Sequence, residues 1–281
     1  MKEIAVSSFA FAGTPAEEII RIAVENKFPL EFSSGMPYRA DMERLFLEAP
    51  VKRFAHNYFP APEIPFVLNL GSANEEIRKR SIEHCVHGLR LSHRVGAPFF
   101  SAHAGMCVDP SPSELGRELN KVKGFDREMH WNHFVASVKT VLQQTRDLKE
   151  LFLIENNVMA KMNVYADGSN PAFCADADEM MRLMKEVNDP RAGILLDTAH
   201  LKVSARTFGF DAVQHAKKIL PFTKCVHHSD NDGNYDTNEP FTDDYWFLPL
   251  MNEAQSQVHV IEVRKQPVEK VLGMLKILAR K

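Results

Sequence analysis

Residues 193–201 read GILLDTAHL. Three large apolar residues, Ile194, Leu195 and Leu196, run straight into Asp197, and His200 follows three positions later. An unbroken apolar run of this kind suits a strand covered on both faces, where no side chain meets water. The strand ends where its polar residues begin, so it delivers Asp197 and His200 to its own terminus.

The same arrangement recurs along the chain. Strand-like runs occupy 4–8, 28–34, 51–57, 97–103, 151–156, 192–197, 223–228 and 258–263, each β-branched or aromatic and nearly continuous in apolar character. Helix-patterned segments follow at 14–26, 40–48, 72–95, 127–148, 175–187, 205–219, 244–254 and 267–280. Thr14, Pro15 and Glu17, and again Ser72 and Glu75, have capping-box spacing. Strict alternation implies parallel strands joined by right-handed crossovers. Eight such units predict one α/β domain over residues 1–281, a (β/α)8 (TIM) barrel, with a doubly wound open sheet as the alternative. The long connections 104–126, 157–174 and 229–243 all follow strands, which places the site at the C-terminal ends of the barrel strands.

Composition narrows the setting. The chain has 281 residues, 44% hydrophobic and 25% charged, with a formal net charge of -3. That balance supports a large core and gives no basic field to attract nucleic acid. Cys85, Cys107, Cys174 and Cys225 are far apart and form no CxxC pair, so they are expected to be reduced, buried thiols of a cytoplasmic protein. The short apolar N-terminal run is not expected to be a signal peptide, and no stretch approaches a membrane span. The apolar helix 267–280 packs on the barrel or on a second copy, which leaves a homo-oligomer open.

Seven strand ends carry a carboxylate or an imidazole: Glu31, His56, His103, Glu155, Asp197, His227 and Glu262. In a closed barrel these ends converge. A buried carboxylate costs several kcal/mol unless it is paired or metal-bound, and several aimed at one point repel each other unless a cation stands between them. The gaps Glu155–Asp197, Asp197–His227 and His227–Glu262 are 42, 30 and 35 residues, each roughly one strand–helix unit. Three carboxylates with one imidazole suit one divalent ion: Mn, Mg, Co or Zn. Glu31 adjoins the turn at Gly35–Pro37 and has a backbone hydrogen bond as its alternative use.

DTAHL after ILL, IEN in the fifth strand, HHSD in the seventh and IEVR in the eighth resemble the xylose isomerase-like barrel superfamily. Its members include sugar and sugar-phosphate isomerases and epimerases and the endonuclease IV class of DNA-repair enzymes. The resemblance implies metal ligation by Glu155, Asp197, His227 and Glu262, with His200 binding substrate oxygen or a further metal. His227 is preferred to His228 because Asp230 follows it by three, and strand alternation lets only one of the two face the mouth. HNYF…LNLGS (His56 to Ser72) and AHAG (His103 to Gly105) resemble endonuclease segments that supply a second metal, here His56, His103 and Glu155. The stretch that would supply a third ion reads Asp236-Thr237-Asn238, and Asn is a poor zinc ligand.

The rim is not basic. Residues 229–244 hold six acids and no Lys or Arg, while Arg117, Lys121, Lys123 and Arg127 in the fourth loop are offset by nearby acids. Lys202, Arg206 and Arg264 are candidates for one phosphate or carboxylate. A small sugar is therefore expected as substrate, with nucleic acid not expected. The expected chemistry is isomerisation or epimerisation through an enediolate, with Glu155 and Glu262 moving the proton and His200, His56 and His103 holding substrate oxygens. Phe9, Phe11, Phe59 and Trp246 are candidate pocket walls. The alternatives are an endonuclease IV-like phosphodiesterase and a non-catalytic sugar-binding barrel.

Overall fold

The computed structural model describes residues 3–33, 35–120, 124–254 and 258–280. Ser34, Lys121 and Lys123 therefore lie outside the described residues. Eight strands form a closed, all-parallel barrel in sequence order: β1 Glu3–Ser7, β2 Leu30–Phe32, β3 Arg53–His56, β4 Phe99–His103, β5 Leu151–Glu155, β6 Ala192–Asp197, β7 Thr223–His228 and β8 Val258–Ile261. Pairing of β1 with β8, Glu3 opposite Val258, closes the ring and removes the open-sheet alternative.

The helices among the described residues are α1 Ala16–Asn26, α2 Met42–Glu48, α3 Glu75–Arg94, α4 Arg127–Gln144, α5 Ala177–Val187, α6 Thr198–Phe208, α7 Ala212–Ile219 and α8 Val268–Ala279. They do not follow one per strand. The helix expected over 205–219 is two helices, α6 and α7, separated at Gly209, which adopts the left-handed conformation (φ 77°) that glycine tolerates without steric cost. The helix expected over 244–254 is a 3-10 turn, Leu248–Leu250. Pro249 has no N–H to donate there and blocks a longer helix. The expected capping boxes also differ. Pro15 caps α1 without a side-chain bond. Asn74, rather than Ser72, caps α3 by accepting from the N–H of Glu76 and Ile77.

Strand alternation sorts the side chains into two layers. Phe54, Phe99, Leu153, Leu195, Cys225 and Val260 belong to a cluster that fills the barrel interior, with Phe54 and Phe99 stacked at 5.5 Å. Two positions further along each strand the same face carries His56, Ser101, Glu155, Asp197, His227 and Glu262. An apolar plug thus floors a polar mouth. The intervening residues, such as Ile154, Leu196 and Val226, pack outward against the helices.

Candidate metal centre

Register places the mouth residues side by side. Glu155 pairs with His103 across β4–β5, and Asp197 pairs with His227 across β6–β7. Glu262 directly follows β8, where its N–H donates to the His228 carbonyl at 3.0 Å. Ligand-type atoms of Glu155, Asp197, His227 and Glu262 all lie within 4.8 Å of one another, as do those of His56, His103 and Glu155. A third group joins Glu31, His56 and His227.

His227 stands at the centre. Its Nδ1 lies 2.9 Å from Glu262 Oε2, 3.7 Å from Glu155 Oε1 and 4.0 Å from Asp197 Oδ2. Glu155 is fully buried and divides its two oxygens: Oε2 faces His56 Nε2 at 3.2 Å and His103 Nε2 at 3.5 Å, and Oε1 faces His227 and, at 3.6 Å, His200 Nδ1. The donor set fits a divalent cation. Both Glu155 oxygens and Asp197 Oδ2 are buried yet accept no hydrogen bond among the described residues. Buried oxygens in that state are costly unless a positive charge compensates them.

Several neighbours fix the ligands. Asn156 clamps β6 to β5: its Oδ1 accepts from Asp197 N–H at 2.7 Å and its Nδ2 donates to the Asp197 carbonyl at 3.0 Å. Asp197 also caps α6, accepting from His200 N–H at 2.8 Å. The DTAH spacing therefore lets one carboxylate cap a helix through Oδ1 and face the cluster through Oδ2. His200 Nδ1 meets the Asn156 carbonyl at 2.8 Å, and its Nε2 meets Asp236 Oδ2 at 3.2 Å. His56 Nδ1 meets Ser101 Oγ at 2.8 Å, so both His56 nitrogens face protein groups.

The crowded charges perturb one another. Burial raises the Asp197 carboxyl to about 7; Glu155 and Asp236 add to this against the pull of His200. Burial acts against ionisation of Glu155, but the imidazoles of His103, His56 and His227 outweigh it and hold the group well below the usual carboxylate range. Burial likewise opposes charge on His227 and His200. Glu31 and Glu262 override it for His227, and Asp197 and Asp236 for His200, so both imidazoles lie well above their ordinary value. Burial is opposed in the same way for Glu262, which His227 lowers, and for His56, which Glu155 and Glu31 raise. His103 is pushed down to about 4, by burial first and by His200 and His56 against Glu155, although a third of its side chain (33%) is exposed at the mouth.

His228 faces the other way: its ring nitrogens approach Tyr245 Oη at 3.3 Å and His259 Nδ1 at 2.8 Å in the helical layer. Two of the candidate pocket walls are core residues instead. Phe59 is fully buried against Phe32 and Phe46, and Phe11 stacks with Phe28. Of the rim cations, Lys202 is tied to Asp230 at 2.6 Å, Arg127 to Glu179 at 2.6 Å, and Arg206 donates to the Asp232 carbonyl. Recesses between the ends of β1 and β8 and between α3 and α4 are lined by none of the cluster residues. Sequence reasoning passed over Asn156 and Ser101 as site residues, weighed Asp236 only as part of a third-ion stretch, and left Glu31 open. Of the two passed over, Asn156 had a local signal in its IEN motif and Ser101 had none.

The chain matches the family described as xylose isomerase-like TIM barrel over residues 10–276. It is 20% identical over 181 residues to a probable endonuclease 4 from Sulfurihydrogenibium sp. (strain YO3AOP1), a match covering 62% of this chain and 56% of that protein. The chain spans about half the length of the probable endonucleases it matches. Among solved structures it is similar to a D-tagatose 3-epimerase-like protein, at 14% identity and TM-score 0.71, covering 99% of this chain and 98% of that one. It is also similar to a Thermus thermophilus protein soaked with ZnCl2, at 18% identity and TM-score 0.65, covering 99% of each chain.

Proposed function

The chain belongs to the xylose isomerase-like TIM barrel family, and from that premise we propose that it is a divalent-metal-dependent sugar isomerase or epimerase. The observation that carries this reading is the convergence of Glu155, Asp197, His227 and Glu262, with both Glu155 oxygens and Asp197 Oδ2 buried and accepting no hydrogen bond among the described residues. A divalent ion held by these four residues would supply polarisation of a substrate carbonyl, which lowers the pKa of the C–H beside it. Glu155 and Glu262 come from β5 and from beyond β8, so they reach the mouth from different sides and are assigned to removing and returning the proton. Glu262 is the more open of the two, with 12% of its side chain exposed. His103 is the imidazole best placed to meet a substrate hydroxyl, since His56 is engaged by Ser101 and Glu155. His200, braced by Asn156 and Asp236, forms the adjoining polar wall. Because Lys202, Arg127 and Arg206 are already engaged and residues 229–244 are acidic, a small uncharged sugar suits the mouth better than a phosphate backbone.

One observation favours a second reading, a phosphodiesterase. Glu155 offers one oxygen to His56 and His103 and the other to His227, so His56, His103 and Glu155 would hold a second ion beside the first. Elemental analysis together with deuterium uptake into ketoses from heavy water separates the readings. One ion per chain with exchange beside the carbonyl supports the isomerase. Two ions with cleavage of a duplex bearing an abasic site, and no exchange, supports the hydrolase. Ketose binding without exchange would leave a sugar-binding barrel.

A further inference from the structure

His227 shows its two ring nitrogens to two different sets of carboxylates. Nδ1 faces Glu262, Glu155 and Asp197. Nε2 points away from them, 3.0 Å from Glu31 Oε2. Glu31 is fully buried, and its other oxygen, Oε1, accepts no hydrogen bond among the described residues. It sits in the middle of β2, whose described length is three residues. Its neighbours Leu30 and Phe32 belong to the outer apolar layer, so Glu31 is the residue that alternation turns inward. Packing gives no reason for an acid there, because the other strands fill the interior with apolar side chains and a lone buried carboxylate is costly.

A neutral imidazole carries one N–H and one lone pair, and only the lone-pair nitrogen can ligate. At His227 that nitrogen must be Nδ1 to serve the cluster of Glu155, Asp197 and Glu262. We propose that Glu31 is a positioning residue: it accepts the proton on His227 Nε2, fixes the ring plane and tautomer, and leaves the Nδ1 lone pair aimed at the ion position. Its negative charge also makes His227 a more basic ligand. The inference rests on the reading of Glu155, Asp197, His227 and Glu262 as a metal site.

Zinc titration against a chelating indicator, with wild type, Glu31→Gln and Glu31→Ala, tests it. The expected result is a first-equivalent Kd weakened by between about 10- and 100-fold, Ala more than Gln because Gln keeps an acceptor, with stoichiometry unchanged. In protein labelled with 15N-histidine and loaded with 113Cd, the cadmium should couple to His227 Nδ1 in wild type, with a proton on Nε2. Coupling to Nε2, or Glu31→Ala binding zinc as tightly as wild type, overturns the inference. So does a second zinc equivalent that Glu31→Gln abolishes, since Glu31 would then be a ligand. Wild type that binds no zinc sinks the metal reading itself and this inference with it. Should Glu31→Ala not fold, the isosteric Gln variant carries the titration.

Discussion

Asp197 shows how much one side chain can be asked to do at this mouth. Its Oδ1 caps α6 through His200 N–H, while its Oδ2 is buried with no hydrogen bond among the described residues and faces His227. The two roles separate by substitution. Asp197→Asn retains a cap oxygen and removes the charge, whereas Asp197→Ala removes both. In the presence of a chelator, Asp197→Asn should melt close to wild type and Asp197→Ala about 1 kcal/mol less stable, the usual worth of a cap. Both should lose zinc affinity and turnover. Full ketose exchange in either variant would remove Asp197 from the centre. Glu262→Gln preserves shape and should lose rate with the fold intact; unchanged turnover would take Glu262 out of the proton-transfer role.

Elements set the positions from which those side chains act. The period-two alternation of β3, β5, β6 and β7 makes the floor of apolar residues and the polar mouth two consequences of one pattern. Outside the barrel, α3 lies against β4 so closely that a Cβ on Gly88 would stand 2.3 Å from the Phe100 ring. Gly88→Ala gains helix propensity but overpacks a full interface. The overpacking should win by about 1–2 kcal/mol, lowering Tm by roughly 2–8 °C in a thermal melt. A variant that melts at or above wild type would mean that the ring moves aside at no cost. The helices also show where local patterning misleads. The amphipathic run 205–219 is broken at Gly209, whereas α6 begins within the DTAH motif itself, where the sequence reads as the end of a strand.

At the scale of the molecule, a cation in the mouth would tie the ends of β5, β6, β7 and β8 together, so stability and metal should be linked. Zinc at a thousand times its Kd should add about 4 kcal/mol, which for a chain of this length is on the order of 10 °C in Tm. The shift should vanish on chelation and be absent in Asp197→Asn. Equal melting temperatures with zinc and with chelator would contradict a metal centre at this mouth. The strength of this linkage follows from burial: carboxylates in a low-dielectric mouth repel more strongly than on a wet surface, and a shared cation relieves more.

The sequence by itself determined the eight buried strands, their order, and the one carboxylate or imidazole that most of them carry at the end. Apolar runs and period-two alternation are local properties, written in neighbouring residues. It also determined that His227 and His228 face opposite sides. Tertiary structure alone decided which of these groups meet. Glu31 and His227 are 196 positions apart and come together only because β1 pairs with both β2 and β8 and closes the ring. His200 and Asp236, and His56 and Glu155, likewise meet across strands and loops. No spacing encodes those contacts, because closure of the barrel and the stagger of its strands set the distances between ends, and these depend on the whole ring packing at once.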